Sequence, residues 1–189
     1  AFRVDEEWGP AAIVDTVRRH LPADGIATCD SGAHRILLSQ VWRCHQPRGL
    51  LQSTGLCTMG CALPLGIGAQ LAAPGRPVVA FSGDAGLEMA LGELSTLRDL
   101  KLPLTIIVFV DASLALIELK QRRDQRPNIG VDFDETDFPA VARAYGGDGH
   151  WAESRAELES ALGEALAPGR DRFSLIACRI PRQSYDGRI

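Results

Sequence analysis

Two nearly continuous apolar runs constrain this chain more than any other feature. Residues 77–82 read PVVAFS and residues 104–110 read LTIIVFV, with no alternation of polar and apolar positions. A strand with one face in water alternates, whereas a strand apolar throughout is covered on both faces, as in the middle of a parallel sheet. Each run ends in an aspartate: Gly83-Asp84-Ala85-Gly86 follows the first and Asp111 follows the second. The intervening LEMALGELSTLRDL, residues 87–100, has helical spacing. The unit is therefore strand, crossover helix, strand, the building block of an α/β protein.

The rest of the chain extends that pattern. Pro10 opens a helix, AAIVDTVRRHL, that ends before Pro22. GIATCD is a short buried strand, after which Asp30-Ser31-Gly32 turns into a helix through Ile36, Leu37 and Leu38. GLLQS reads as a strand. Gly60-Cys61-Ala62-Leu63-Pro64 leads into a small-residue helix, LGIGAQLA, suited to close packing on a sheet. Beyond Asp111, ASLALIELKQRR reads as helix and RPNIGVDFDET as a polar loop. FPAVARAYGG and ELESALGEALA are further helices, and RFSLIACRI is the last strand. The expected architecture is a three-layer α/β/α sandwich around a mostly parallel sheet. At 189 residues it forms one domain, with residues 1–9 as a linker.

A net charge of −4 argues against a nucleic-acid partner, because phosphate backbones call for a basic surface. The five cysteines, Cys29, Cys44, Cys57, Cys61 and Cys178, are odd in number and contain no C-x-x-C pair. That favours neither a disulfide framework nor a zinc site, and points to a reducing, cytoplasmic setting. No apolar run has the length of a membrane span, and no signal peptide is visible.

The chemistry concentrates at the two aspartates. In an open α/β sheet, ligands bind outside the carboxyl ends of the strands. Two carboxylates there suit a hard cation, and Mg²⁺ is commonly held by one or two carboxylates together with phosphate oxygens. The turn at Gly83–Gly86 also opens a helix, whose free N–H groups favour an anion. The competing reading is an ordinary strand-to-helix turn with Asp84 as N-cap. No G-x-G-x-x-G follows a strand and no GK[ST] occurs, so the common nucleotide-phosphate loops are absent.

The stretch GDAGLEMALGELSTLRDLKLPLTIIVFVDASLALIELKQ resembles the signature of thiamine diphosphate (ThDP) enzymes, a Gly-Asp-Gly turn followed at fixed distance by an Asn-Asn pair. Asp84 and Asp111 are 27 positions apart, which puts Asp111 at the second, metal-binding Asn. DSGAH (Asp30 to His34) and GLCTMGCALPLGIGAQLA (Gly55 to Ala72) are similar to two further family segments, in the right order. The T-M-G-x-x-L-P run and the GDA variant lie closest to the acetolactate synthase-like branch. Val110 and Asp111 depart from the Asn pair, which adds a negative charge at the metal.

The resemblance implies a ThDP-binding domain that holds the cofactor diphosphate through Mg²⁺. By that resemblance Asp84, Asp111 and the Ser113 carbonyl are the metal ligands, and the Ala85 and Gly86 amides meet diphosphate oxygens. Ala33 and His34 form the first diphosphate-contacting turn. Met59 is the apolar wedge that bends the cofactor, the Cys57 carbonyl accepts from the pyrimidine amino group, and Leu116 lies near the thiazolium. The implied reaction is decarboxylation or carboligation of a 2-oxo acid. No catalytic residue is expected in this chain, because the activating glutamate belongs to an N-terminal pyrimidine-binding domain of the same enzyme or a partner subunit. The alternatives are a small subunit of a two-chain, sulfopyruvate decarboxylase-like enzyme, and a non-catalytic diphosphate-binding module. A site shared between subunits also implies a homo-oligomer, with a dimer the simplest form.

Overall fold

The computed structural model describes residues 7–189. Their order is α1 (Pro10–His20), β1 (Ile26–Cys29), α2 (Ala33–Val41), β2 (Leu50–Gln52), α3 (Ala62–Ala72), β3 (Val78–Gly83) and α4 (Asp84–Glu88). There follow a 3₁₀ turn (Leu91–Glu93), α5 (Leu94–Asp99), β4 (Thr105–Val110), α6 (Ala115–Arg123), α7 (Phe138–Ala144), β5 (Asp148–Ala152), α8 (Arg155–Ala165) and β6 (Ser174–Arg179). The strands form one sheet in the order β2-β1-β3-β4-β6-β5, and every pair is parallel.

Period-2 alternation inside the buried strands makes the three layers. Val79, Phe81, Ile107, Phe109, Ile176 and Cys178 face one core, which α1, α2 and α8 cover. Their neighbours Val78, Ala80, Ile106, Val108, Leu175 and Ala177 face the other, beneath α3, α5 and α7. Strands β3 and β4 are thus apolar on both faces, as their composition requires. Among the described residues no helix is long and apolar enough to cross a membrane.

The structure corrects the sequence reading at three places. β5, Asp148–Ala152, is a strand that the sequence did not reveal, since DGHWA is half-buried and lies at the sheet edge. The single helix expected over residues 87–100 is divided into α4, the 3₁₀ turn and α5, with Gly92 inside the break. Glycine costs about 1 kcal/mol in a helix interior, so the break falls where helix is weakest. α6 begins at Ala115 because Ala112 adopts a left-handed φ of 52°, which starts a turn after β4.

Part of the expected linker, residues 1–6, lies outside the described residues. Trp8 packs against the first core, and its indole N–H donates to the Arg179 carbonyl at 2.8 Å.

Candidate functional site

Strand order reverses beside β1: β2 lies on one side of it and β3 on the other. Loops therefore part at the carboxyl ends of β1 and β3, which leaves a crevice there. Three aspartates stand at those strand ends and the next one: Asp30 after β1, Asp84 after β3 and Asp111 after β4.

The parallel register of β3 and β4, with Gly83 opposite Phe109, brings Asp84 and Asp111 side by side. Asp84 Oδ2 accepts the backbone N–H groups of Asp111 at 3.1 Å and Ala112 at 2.8 Å. Its Oδ1 accepts from the Ala85 N–H at 2.8 Å. The N-cap of α4 is Gly83, so Asp84 is not the capping residue; it fastens the neighbouring strand end instead. Asp111 Oδ1 accepts from the Ser113 N–H at 3.3 Å, while Oδ2 is buried with no protein partner.

Both residues are almost inaccessible, Asp84 at 5% and Asp111 at 8% exposure. Burial raises the pKa of Asp84, against the pull of three amide donors. Burial and then the Asp84 charge push Asp111 up to about 7. Two carboxylates this close and this dry resist joint ionisation unless a cation joins them. The partnerless Asp111 oxygen fits such an ion.

Asp30 organises the opposite wall. Its Oδ1 lies 2.8 Å from His34 Nε2, and its Oδ2 accepts from the Gly60 N–H at 2.7 Å and from Ser82 Oγ at 3.0 Å. The His34 ring stacks on Phe109 at 5.4 Å. Gly86 passes so close that a Cβ there would lie 2.2 Å from Asp30 Oδ2, so the α4 turn needs glycine at that position. Cys29, Asp30 and His34 also cluster, but hydrogen bonds already occupy both Asp30 oxygens, and burial raises the Cys29 thiol pKa well above its usual value.

Between these walls lies a cavity of about 170 Å³. Ala33, His34, Met59, Asp84, Ala85, Gly86, Asp111, Ser113 and Leu116 all line it. Cys57 does not; it is exposed, has a φ of 51°, and its sulfur lies 3.5 Å from an Arg35 guanidinium nitrogen. Phe109, Ile117 and Tyr185 also line the cavity, and the sequence did not single them out. Phe109 reads as one more core residue of β4, and Tyr185 lies beyond the last strand with no motif around it.

Residues 30–178 match the family model described as thiamine pyrophosphate enzyme, C-terminal TPP binding domain. The chain belongs to this family. The cofactor of this TPP-binding domain is thiamine diphosphate, and its relatives are enzymes. It is 34% identical over 157 residues to the acetolactate synthase of Bacillus subtilis (strain 168), covering 83% of this chain and 28% of that protein. It is 31% identical over 168 residues to the acetolactate synthase isozyme 3 large subunit of Escherichia coli (strain K12), covering 88% of this chain and 29% of that one. The TPP-binding domain thus spans under a third of the length of these relatives. Its fold is that of the benzoylformate decarboxylase of Polynucleobacter necessarius, with a TM-score of 0.81 and 24% identity over 97% of this chain and 35% of that chain.

Proposed function

We propose that this domain supplies the diphosphate-binding half of an acetolactate synthase-like active site that acts on 2-oxo acids. The observation that carries the reading is the Asp84–Asp111 pair, buried beside the cavity with one carboxylate oxygen partnerless. Asp84, Asp111 and the Ser113 carbonyl would hold a Mg²⁺ ion, and the ion would hold the diphosphate. Asp84 locks the Asp111 turn through two amides, so the two ligands form one rigid unit. Ala33, His34, Ala85 and Gly86 would line the diphosphate, and His34 is kept in place by Asp30 and Phe109. Met59 and Leu116 would give the cofactor's rings an apolar, water-poor wall. Cys57, which lies outside the cavity lining, would act only through its backbone carbonyl.

When bound, ThDP supplies the carbon nucleophile and the electron sink for 2-oxo acid decarboxylation or carboligation. The chain's own contribution is orientation and fixed charge. The glutamate that activates the pyrimidine would come from an N-terminal domain, in the same polypeptide or a partner subunit. The five cysteines are all free thiols, which supports a cytoplasmic setting.

The test is reconstitution with a pyrimidine-binding domain, Mg²⁺ and ThDP, with CO₂ release measured over a panel of 2-oxo acids. Turnover that Asp84→Ala lowers by about 100-fold or more is the expected result, since one hard ligand and its charge go together. Absence of CO₂ release across the panel, with the cofactor bound, would overturn the catalytic reading.

A further inference from the structure

The family match ends at residue 178, yet the segment beyond it reaches back to the site. Arg182 donates through Nη1 to Asp132 Oδ2 at 2.9 Å and through Nη2 to the Ala112 carbonyl at 3.1 Å. Asp132 also accepts from Ser113 Oγ and from Asn128 Nδ2, each at 2.8 Å. Arg182 and Asp132 therefore bracket the Asp111–Ser113 turn, one holding its middle carbonyl and the other its last side chain. Three residues further on, Tyr185 is buried at 3% exposure and lines the cavity with Asp84 and Asp111. Asp186 then pairs with Arg122 of α6 at 2.7 Å.

The turn needs such support. Ala112 sits at a left-handed φ of 52°, a conformation that is strained for a non-glycine residue. Asp111 adds the cost of a buried carboxylate with a partnerless oxygen. Mg²⁺ demands near-ideal octahedral geometry, so small shifts in this turn would change how well the ion is held. A planar guanidinium fork can engage a carboxylate and a carbonyl at once, which a lysine ammonium does less well.

We propose that the C-terminal segment is part of the cofactor site, with Arg182 as a positioning residue that holds the Asp111–Ser113 turn through the Ala112 carbonyl and Asp132. The proposal rests on Asp84 and Asp111 being cation ligands. A purely structural role fits the site poorly: Arg182 and Asp132 have side-chain exposures of 52% and 31%, and pairs so wetted contribute little to global stability. Their effect falls on ligand geometry instead.

The test uses Mn²⁺ as probe, its free EPR signal disappearing on binding, titrated into the chain assembled with a pyrimidine-binding domain and saturating ThDP. Wild type is compared with Arg182→Ala, Arg182→Lys and Asp132→Asn, and each unliganded Tm is recorded. Arg182→Ala and Asp132→Asn should weaken Mn²⁺ binding by about tenfold, as removal of supporting hydrogen bonds around metal ligands does elsewhere. Arg182→Lys should recover part of the loss, and the unliganded Tm should stay within about 4 °C of wild type. Mn²⁺ affinities within twofold of wild type in both variants would overturn the proposal. So would losses matched by a collapse of the unliganded Tm. Wild type that retains no Mn²⁺, like Asp84→Ala, would overturn the underlying reading of the aspartate pair, a result distinct from unaltered variants of a binding wild type.

Discussion

Asp84 and Asp111 differ in what their oxygens do. Asp84 gives both oxygens to backbone amides, whereas Asp111 keeps Oδ2 without a partner. The Asp111 pKa of about 7 therefore has a measurable consequence in the metal-free protein. In the unfolded chain an aspartate ionises near pH 4; in the fold Asp111 keeps its proton to about 7. Between those values the folded state binds the extra proton, so stability falls as pH rises, by on the order of 4 kcal/mol at most. Urea denaturation at pH 5 and pH 7.5 checks this. The pH-dependent loss should be present without metal, shrink with Mg²⁺, and be largely absent in Asp111→Asn. Both aspartates were legible in the sequence, because each ends an apolar strand at family spacing. The backbone N–H hydrogen bonds from Asp111 and Ala112 to the Asp84 carboxylate were not, since those depend on the register between β3 and β4. Tyr185 and Arg182 were invisible for a related reason: no local pattern tells which wall a segment after the last strand will meet.

The central elements were legible because burial on both faces leaves a continuous apolar run, and β1, β3, β4 and β6 all carry one. β5 carries none. It is an edge strand whose position is fixed by its neighbour β6 and by α7 rather than by its own composition. Gly149 shows the constraint: a Cβ there would lie 2.3 Å from the Pro139 carbonyl oxygen and 2.6 Å from its Cα, both backbone atoms of α7. Gly149→Ala should therefore destabilise the domain by about 2–3 kcal/mol through overpacking. Gly163, in the last turn of α8, meets nothing within 4 Å, and Gly163→Ala should stabilise by about 0.5 kcal/mol through helix propensity alone. Urea midpoints of the two variants should move in opposite directions. A shared direction would contradict the way β5 and α7 pack. The division of residues 87–100 into short pieces follows the same logic, since Leu87, Leu94 and Leu97 all reach the core across the break.

Seen whole, the domain leaves several large apolar side chains in water. Leu56 is 91% exposed, Met89 67% and Ile117 47%; Ile117 lines the cavity, and Met89 packs beside Gly60. Such a surface is what an interface would cover. The isolated chain should self-associate, most simply as a symmetric dimer, and Met89→Lys should weaken the association. Light scattering over the micromolar range checks it; a monomer mass throughout would count against the interface. A pyrimidine-binding domain would supply the missing half of the cofactor site, so ThDP should bind this chain weakly alone and more tightly once that domain is added. Calorimetry of ThDP binding to the assembled protein, with Mg²⁺ and again with EDTA, decides whether the paired aspartates hold the cofactor through a cation. Binding should require Mg²⁺ and should be lost in Asp84→Ala; ThDP binding of equal strength in EDTA, or in Asp84→Ala, would contradict it.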